Sequence, residues 1–186
     1  MRLSGKTLLA MWLNFTLLIF CPNEILAQHR LGAGFSGVSY SFSGIDNHRG
    51  FNIIYQYKIP LGKSERWTAL PTAGFHHFME DTRREFSPSI SHTFQLNGLI
   101  NFEWLKWGWL SLGTYAGPAL FYNYRFMSGD VIRAPIRSND LILGLNAGAN
   151  INLKFNGNYA LIIMPFNINL ADEGFRLVHF SVLFQL

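Results

Sequence analysis

Residues 140–155, DLILGLNAGANINLKF, form the stretch that decides the fold. Every odd position from Leu141 to Leu153 is apolar, whereas the even positions are mostly Asn or Gly and end in Lys154. Successive side chains of a strand point to opposite faces, so this pattern predicts a strand with one oily face and one polar face. Such a long alternation exceeds an ordinary soluble strand and suits a tilted strand of a closed barrel, which needs about 9–11 residues to cross a bilayer.

The first 27 residues have the pattern of a cleaved signal peptide. Two basic residues precede the apolar run 7–21, and a small residue, Ala27, ends the segment. An N-terminal membrane anchor is the alternative, although the apolar run is shorter than the roughly 20 residues that a spanning helix needs. We therefore expect residues 1–27 to be removed and residues 28–186 to form one domain.

Composition excludes several classes of function. Cleavage would remove the only cysteine, Cys21, and with it any disulfide or Cys-ligated metal site. The chain carries 15 Lys and Arg against 11 Asp and Glu, and this small excess is not clustered as in a nucleic-acid-binding face. We expect no nucleic-acid partner, no metal and no cofactor. The content of 49% hydrophobic and 16% aromatic residues favours a chain that presents apolar surface to lipid.

After residue 27 no apolar run reaches 18 residues and no stretch has helical spacing, so the sequence predicts an all-β chain. The predicted strands cover 30–43, 51–60, 67–78, 91–105, 109–125, 140–155, 159–170 and 175–186. The fourth sets Phe94, Leu96, Gly98, Ile100, Phe102 and Trp104 against Thr93, Gln95, Asn97, Leu99, Asn101 and Glu103. The first changes phase between Phe35 and Val38, which predicts a bulge or bend near residues 34–37.

An even number of strands and alternating connections predict an up-and-down antiparallel barrel. If the first strand rises from the periplasm, both termini are periplasmic and the two longest connections, 79–89 and 126–139, are external. Short periplasmic turns with longer external loops are typical of outer-membrane barrels. Aromatic residues gather near the predicted periplasmic rim: Tyr57, Trp67, Trp104, Trp107, Trp109 and Tyr159.

From Arg30 to Leu186 the chain resembles the small eight-stranded outer-membrane β-barrels of Gram-negative bacteria. In that family the last strand is an assembly signal for the insertion machinery, with alternating hydrophobic residues that end in an aromatic one. Here Phe180, Val182 and Phe184 alternate, but the strand ends in Leu186. The resemblance implies an eight-stranded antiparallel transmembrane barrel and an insertion-machinery partner that reads this strand.

A barrel of eight strands is just wide enough for side chains to fill it, so we expect no open pore. The polar residues expected to point inward are Gln56, Lys58, Gln95, Asn97, Asn101, Glu103, Asn146, Asn150, Asn152, Lys154, Arg176, His179 and Gln185. Lys58, Glu103, Lys154 and Arg176 would form an interior charge network. Since a buried charge must be paired, we expect Glu103 to pair with one or both lysines.

The histidines raise the hypothesis of an enzyme. Ser91, His92, His76 and Glu80 lie near the predicted external rim, and a Ser-His-acid set there would suit a lipid-modifying acyl hydrolase or transferase. Strand parity, however, points Ser91 inward and His92 outward. No strand-turn-helix nucleophile elbow is present either. A structural role for the histidines at the headgroup level is therefore the favoured interpretation.

The predicted external loops hold Arg83, Arg84, Arg133 and Arg137. Guanidinium groups pair well with phosphate, so these residues are candidates for contact with lipopolysaccharide. The sequence thus predicts a monomeric, non-enzymatic barrel in the bacterial outer membrane, with a structural or surface-interaction role and lipid as its main partner. A soluble periplasmic lipid-binding β-barrel is a further alternative, which requires a polar exterior and an apolar interior.

Overall fold

The computed structural model describes residues 28–40, 45–62, 66–79, 89–127, 136–155, 159–171 and 175–185. They form eight strands: β1 Gln28–Tyr40, β2 Ile45–Leu61, β3 Trp67–Met79, β4 Ser89–Trp107, β5 Leu110–Met127, β6 Ile136–Lys154, β7 Ala160–Ala171 and β8 Phe175–Gln185. Within this part of the chain, no helix is both long and apolar enough to cross a membrane. The predicted leader, residues 1–27, lies outside the described residues.

Each strand pairs antiparallel with the next, and β1 pairs with β8, which closes the barrel. The predicted fold class is therefore confirmed. The start of β1 and the end of β8 lie at one end of the barrel, which we call the terminal end. The connections after the odd-numbered strands, which include 80–88 and 128–135, lie at the opposite end, the loop end. The two longest connections are thus at the same end.

The faces of the strands follow the alternation in the sequence. In β4 the residues predicted to face inward are all buried, and Phe94, Leu96, Ile100 and Trp104 are exposed on the outside. In β6 the same holds for Asn146, Asn150 and Asn152 inside. Large apolar residues therefore cover the exterior, while Asn, Gln, Ser and Thr fill much of the interior. This is the reverse of what a soluble lipid-binding barrel requires.

The bulge predicted near residues 34–37 of β1 is wrong. β1 keeps an uninterrupted register with β8 from Arg30 to Tyr40, so no extra residue is inserted near 34–37. The apolar pattern changes phase here because Phe35 lies on the outer face, whereas Val38 lies inside the barrel, 1% exposed, among other apolar residues. Gly34 is required there, since a Cβ atom at this position would collide with the backbone of Phe180 and Ser181 on β8.

A real irregularity occurs in β7. The β7–β8 register shifts between Met164 and Asn167, and both Pro165 and Phe166 are exposed between these buried residues. Proline has no N–H to donate to a ladder, so bulges tolerate it. The bulge changes the inward set of β7 from even to odd positions. As a result, Met164 and Asn167 both point into the barrel.

Two apolar clusters lie inside. The terminal-end cluster contains Ile54, Leu70, Leu99, Tyr115, Ala160, Ile162, Met164 and Leu183. The loop-end cluster contains Val38, Phe78, Ala119, Phe121, Phe175 and Leu177. Along β8, buried His179 and Ser181 separate Leu177 of one cluster from Leu183 of the other. The interior is therefore layered, with polar side chains between two apolar zones.

Candidate functional site

The polar layer between the apolar clusters is a hydrogen-bonded network that draws side chains from all eight strands. We call it the interior belt: Ser36, Asn52, His76, Gln95, Tyr115, Asn146, Asn167, Asn169, His179 and Ser181. Most of these residues are 5% exposed or less. Because each strand contributes at least one member, the belt crosses the lumen from wall to wall.

The first half of the belt has a consistent direction of donation. Ser181 Oγ donates to Asn52 Oδ1 over 2.9 Å, and Asn52 Nδ2 donates to Ser36 Oγ over 2.8 Å. Ser36 Oγ lies 2.8 Å from His76 Nδ1, and His76 Nε2 lies 2.8 Å from Gln95 Oε1. An amide oxygen can only accept, so His76 carries its proton on Nε2 and accepts from Ser36. These bonds therefore fix the tautomer of His76.

The second half continues in the same direction. Gln95 Nε2 donates to Asn169 Oδ1 over 3.0 Å, and Asn169 Nδ2 donates to Asn167 Oδ1 over 3.1 Å. Asn167 Nδ2 then donates to the Tyr115 hydroxyl over 2.8 Å. Asn146 joins both asparagines through its Nδ2 group. Chains of bonds with one direction polarise each other, so the belt should act as a unit.

Tyr115 has space inside the barrel because of its cross-strand partner. Gly148 is directly opposite Tyr115 in the β5–β6 register. A Cβ atom on Gly148 would collide with the ring and hydroxyl of Tyr115. The glycine thus lets the tyrosine lie flat against β6 and reach Asn167 on β7.

A charged group lies at the terminal end of the interior. Lys58 Nζ is 3.5 Å from Glu103 Oε1, with side chains 13% and 1% exposed respectively. Arg30, 2% exposed, interacts electrostatically with Glu103 and donates from Nε to Gln185 Oε1 over 3.0 Å. Lys154 is half-buried on the inward-facing side of β6. The structure therefore brings Lys58, Glu103 and Arg30 together.

The expected place of Arg176 in this network is wrong. Arg176 is exposed on the outside of β8, because in this strand the odd positions, including Leu177 and His179, are the buried ones. Its register partner on β1 is Ser39, close to the loop end and far from Lys58. Arg30 is an interior cation that the sequence did not predict, and Arg125, half-buried on the inward-facing side of β5 near the loop end, is another.

The candidate catalytic residues do not form one site. Ser91 is buried inside the barrel, whereas His92 is half-buried on the outer face of the same strand. His76 belongs to the interior belt. Glu80 lies outside the described residues. The geometry therefore provides no Ser-His pair among the residues that the structure describes in this set.

The outer face becomes progressively more polar toward the loop end. One row of register partners is Ile53, Phe75, Phe94, Tyr122 and Leu141. The next row is Phe51, His77, His92, Tyr124 and Asn139. One further step gives the row Arg49, Met79, Ile90, Phe126 and Arg137, in which two exposed arginines flank three apolar residues. Imidazole groups and then guanidinium groups thus enter the outer face over two register steps.

Aromatic residues mark the terminal end as well. Trp67, Trp104, Trp107, Trp109 and Tyr159 are all exposed at or near the ends of strands there, and Tyr57 is half-exposed. Of the arginines considered for lipopolysaccharide contact, the structure describes only Arg137, at the loop end. Arg83, Arg84 and Arg133 lie outside the described residues.

Sequence interpretation did not identify the partners that matter most. Of the belt, the predicted inward set holds only Gln95, Asn146 and His179, and it lacks Ser36, Asn52, Tyr115, Asn167, Asn169 and Ser181. The pairing of His77 with His92 was not predicted either. Alternation could have assigned Asn52 to the inside. The pairing of residues on distant strands depends on the stagger of the barrel, for which the sequence carries no direct signal.

Comparison with solved structures identifies proteins of similar fold. Neisserial surface protein A (NspA) superposes with a TM-score of 0.60 at 11% identity, covering 86% of this chain and 96% of that protein. Ail, the attachment invasion locus protein of Yersinia pestis, gives 0.53 at 13% identity, with 86% and 95% covered. Ail in complex with the heparin analogue sucrose octasulfate gives 0.55 at 13% identity, with 86% and 96% covered. These likenesses show a shared fold.

At the level of sequence the comparisons find no relative. No protein-family model matches the chain. No curated protein matches it either.

Proposed function

We propose that this chain is an integral outer-membrane β-barrel protein of a Gram-negative bacterium, with a structural or surface-interaction role. The observation that carries the proposal is the inverted distribution of polarity. Phe35 is 75% exposed and Leu145 is 66% exposed, whereas Asn52 and Asn169 are 0% exposed. Only a surrounding that is itself apolar favours this arrangement, because apolar area in water is costly. The shared fold with NspA and Ail supports it.

The arrangement of outer-face cations supports a membrane boundary at the loop end. An Arg on the lipid face costs about 2–4 kcal/mol at the bilayer midplane and only about 0–1 near the interface. The exposed residues Arg49, Arg137 and Arg176 all lie toward the loop end. We assign this end to the external side, so that both termini are periplasmic. The exposed tryptophans of the terminal end then form the periplasmic girdle.

The interior belt supports a role without conduction. A solute or ion that crossed the lumen would have to break bonds between Asn52, His76 and Gln95 on one side and Asn146 and Asn167 on the other. Each broken bond leaves a buried polar group unsatisfied, at about 1–3 kcal/mol per group. The functional surfaces are therefore the outer face and the external connections.

Localisation is tested by fractionation and by gel mobility. The expressed protein should be recovered with the outer membrane, and it should migrate differently before and after boiling, as a closed, detergent-stable barrel does. Recovery as a soluble protein would contradict the assignment of the faces. Size analysis in detergent should give a monomer.

The anionic headgroups of lipopolysaccharide are the partner that the loop-end arginines fit best. Arg49 pairs with Gly37, and Arg176 pairs with Ser39, so the two cations lie on either side of β1. Adjacent strands are about 4.8 Å apart, which puts these two strands about 10 Å apart. Each guanidinium group can hold a phosphate in a bidentate manner. Arg83, Arg84 and Arg133, in the connections, would add to the same contact.

Titration with purified lipopolysaccharide in detergent tests this contact. The double variant Arg49→Gln and Arg176→Gln should bind more weakly, and dephosphorylated lipopolysaccharide should abolish the difference from the wild type. Arg66→Gln is the matched control, since Arg66 is also exposed but lies at the terminal end. Equal binding by the double variant and the control would refute the assignment.

The last strand is the proposed contact with the insertion machinery. Val178, Phe180 and Phe184 are exposed on the outside of β8, in the alternation that such a signal requires. Substitution of Phe184 by Asn should lower the yield of folded barrel in cells more than it lowers refolding in detergent. Equal effects in the two assays would indicate a role in stability alone.

A further inference from the structure

Two histidines on the outer face form a pair that neither the interior belt nor the lipid contact uses. His77 on β3 and His92 on β4 are direct partners in the register. Their Nδ1 atoms lie 3.2 Å apart, and their ring centroids lie 4.8 Å apart. Both side chains are half-buried, so they remain accessible from the outside.

The distance between the two nitrogens fits two imidazole ligands of one metal ion. Zn²⁺ binds an imidazole nitrogen at about 2.0–2.1 Å. For nitrogens 3.2 Å apart, an ion at this distance from both makes an N–metal–N angle of about 100°, close to tetrahedral. We propose that His77 and His92 form a binding site for a divalent transition-metal ion, with Zn²⁺ as the representative.

The surroundings hold the two rings in place. The ring of Phe51 is 5.1 Å from that of His77, while the rings of Phe75 and Tyr124 are 5.5 Å and 6.2 Å from that of His92. The paired backbones of β3 and β4 fix the two Cα positions. These contacts limit the conformations open to both rings, so binding of an ion would need little additional ordering.

The protons balance at neutral pH. In the metal-free pair, one histidine donates its Nδ1 proton to the bare Nδ1 of the other. On binding, both Nδ1 atoms coordinate the ion, so the donor loses its Nδ1 proton to water and gains one on Nε2. No net proton is released. At acidic pH, protonation of the imidazoles competes with the metal, and binding should weaken.

The protein supplies two imidazole ligands, and this ligand type determines which metals bind. No cluster of three or more His, Cys, Asp or Glu side chains suited to a metal occurs in the part of the chain that the structure describes. Water would complete the coordination. Imidazole suits Zn²⁺, Cu²⁺ and Ni²⁺, whereas Mg²⁺ and Ca²⁺ prefer oxygen ligands. We therefore expect the site not to bind Mg²⁺ or Ca²⁺, the hard cations that associate with anionic lipids.

Titration calorimetry with Zn²⁺ tests the proposal on the full chain in detergent free of lipopolysaccharide. We expect one site per chain that persists in excess Mg²⁺. His77→Ala and His92→Ala should each lower the affinity by more than the roughly 10–100-fold that loss of an outer-shell partner costs. His29→Ala is the matched control, because His29 is an outward histidine that bonds to Tyr55 rather than to another histidine. This control should retain wild-type affinity.

A second readout separates loss of the ligands from loss of the fold. Each variant should keep heat-modifiable migration, and bound Cu²⁺ should show spectroscopic coupling to two nitrogens in the wild type and to one in each single variant. Absence of Zn²⁺ binding by the folded wild type would overturn the proposal. So would binding that neither histidine substitution changes. Failure of the membrane assignment would not affect either result, because both are measured on the purified barrel.

Discussion

Replacement of Glu103 by Gln tests whether the interior ion pair stabilises the barrel. Glu103 is 1% exposed and lies 3.5 Å from Lys58 Nζ. Arg30, also buried, interacts with the same carboxylate. Gln preserves the size and shape of the side chain and removes its charge. The variant therefore leaves the buried Arg30 and the half-buried Lys58 without the negative charge with which both interact.

The expected loss follows from the burial of the three groups. Removal of one partner of a buried ion pair costs about 3–5 kcal/mol. Lys58 retains 13% exposure, so water can partly compensate for its lost partner, and we expect the lower limit, about 3 kcal/mol. With a urea dependence of about 2 kcal/mol per molar, the unfolding midpoint should fall by about 1.5 M.

Reversible urea unfolding in detergent micelles, followed by tryptophan fluorescence, measures this shift. Asp140→Asn is the matched control, because it makes the same chemical change on an exposed carboxylate of β6 and should leave the midpoint unchanged. Lys58→Met in the Glu103→Gln background should recover part of the loss, since it removes one uncompensated cation. If Glu103→Gln unfolds at the same urea concentration as Asp140→Asn, the pair contributes nothing and the argument fails.

The other predictions concern the filling of the interior, and the same urea assay measures them. Tyr115→Phe removes the hydroxyl that accepts from Asn167 at 2.8 Å and should cost about 1–3 kcal/mol, whereas Tyr122→Phe on the outer face should cost much less. Phe121→Ala, at a residue 0% exposed in the loop-end cluster, should cost about 3–5 kcal/mol by creating a cavity. Phe35→Ala, at a residue 75% exposed, leaves no cavity. Equal losses at Phe121 and Phe35 would contradict the assignment of inside and outside.

The sequence was sufficient for the fold because side-chain direction along a strand is a local property. Strict alternation in β4 and β6 assigned both faces correctly, from Thr93 to Glu103 and from Asn146 to Asn152. The wrong predictions, at Val38 and Arg176, assumed that polar residues face inward and apolar residues face outward at every level of the barrel. Val38 is apolar and yet faces inward, because an apolar cluster fills that level of the lumen.

Parity also explains the error at Arg176. It was placed inside together with His179, although the two residues have opposite parity in an unbroken strand, and only His179 is inside. Polarity alone suggested the interior for an arginine. The position near the loop end, where a cation can reach the membrane boundary, makes the outer face acceptable.

The contacts that define the candidate sites were beyond the sequence. Ser181 and Asn52 form a hydrogen bond across 129 positions of the chain. Their contact depends on the register of β8 with β1 and of β1 with β2. A shift of any of these strands by one residue would separate the two side chains. The pairing of His77 with His92 depends in the same way on the register across the connection 80–88.

Neutral side chains fill the middle of this barrel, so the groups proposed to bind partners lie on the outer face. The belt needs no counter-ion, and the charged side chains that the structure describes lie toward the two ends of the interior or on the outer face. There His77 and His92 lie one register row below the row that holds Arg49 and Arg137. A divalent ion on the histidines would add positive charge close to these arginines. Since opposite charges attract over such distances in the poorly screened boundary of a membrane, the two proposed contacts should be coupled, and a bound metal should strengthen the hold on anionic headgroups.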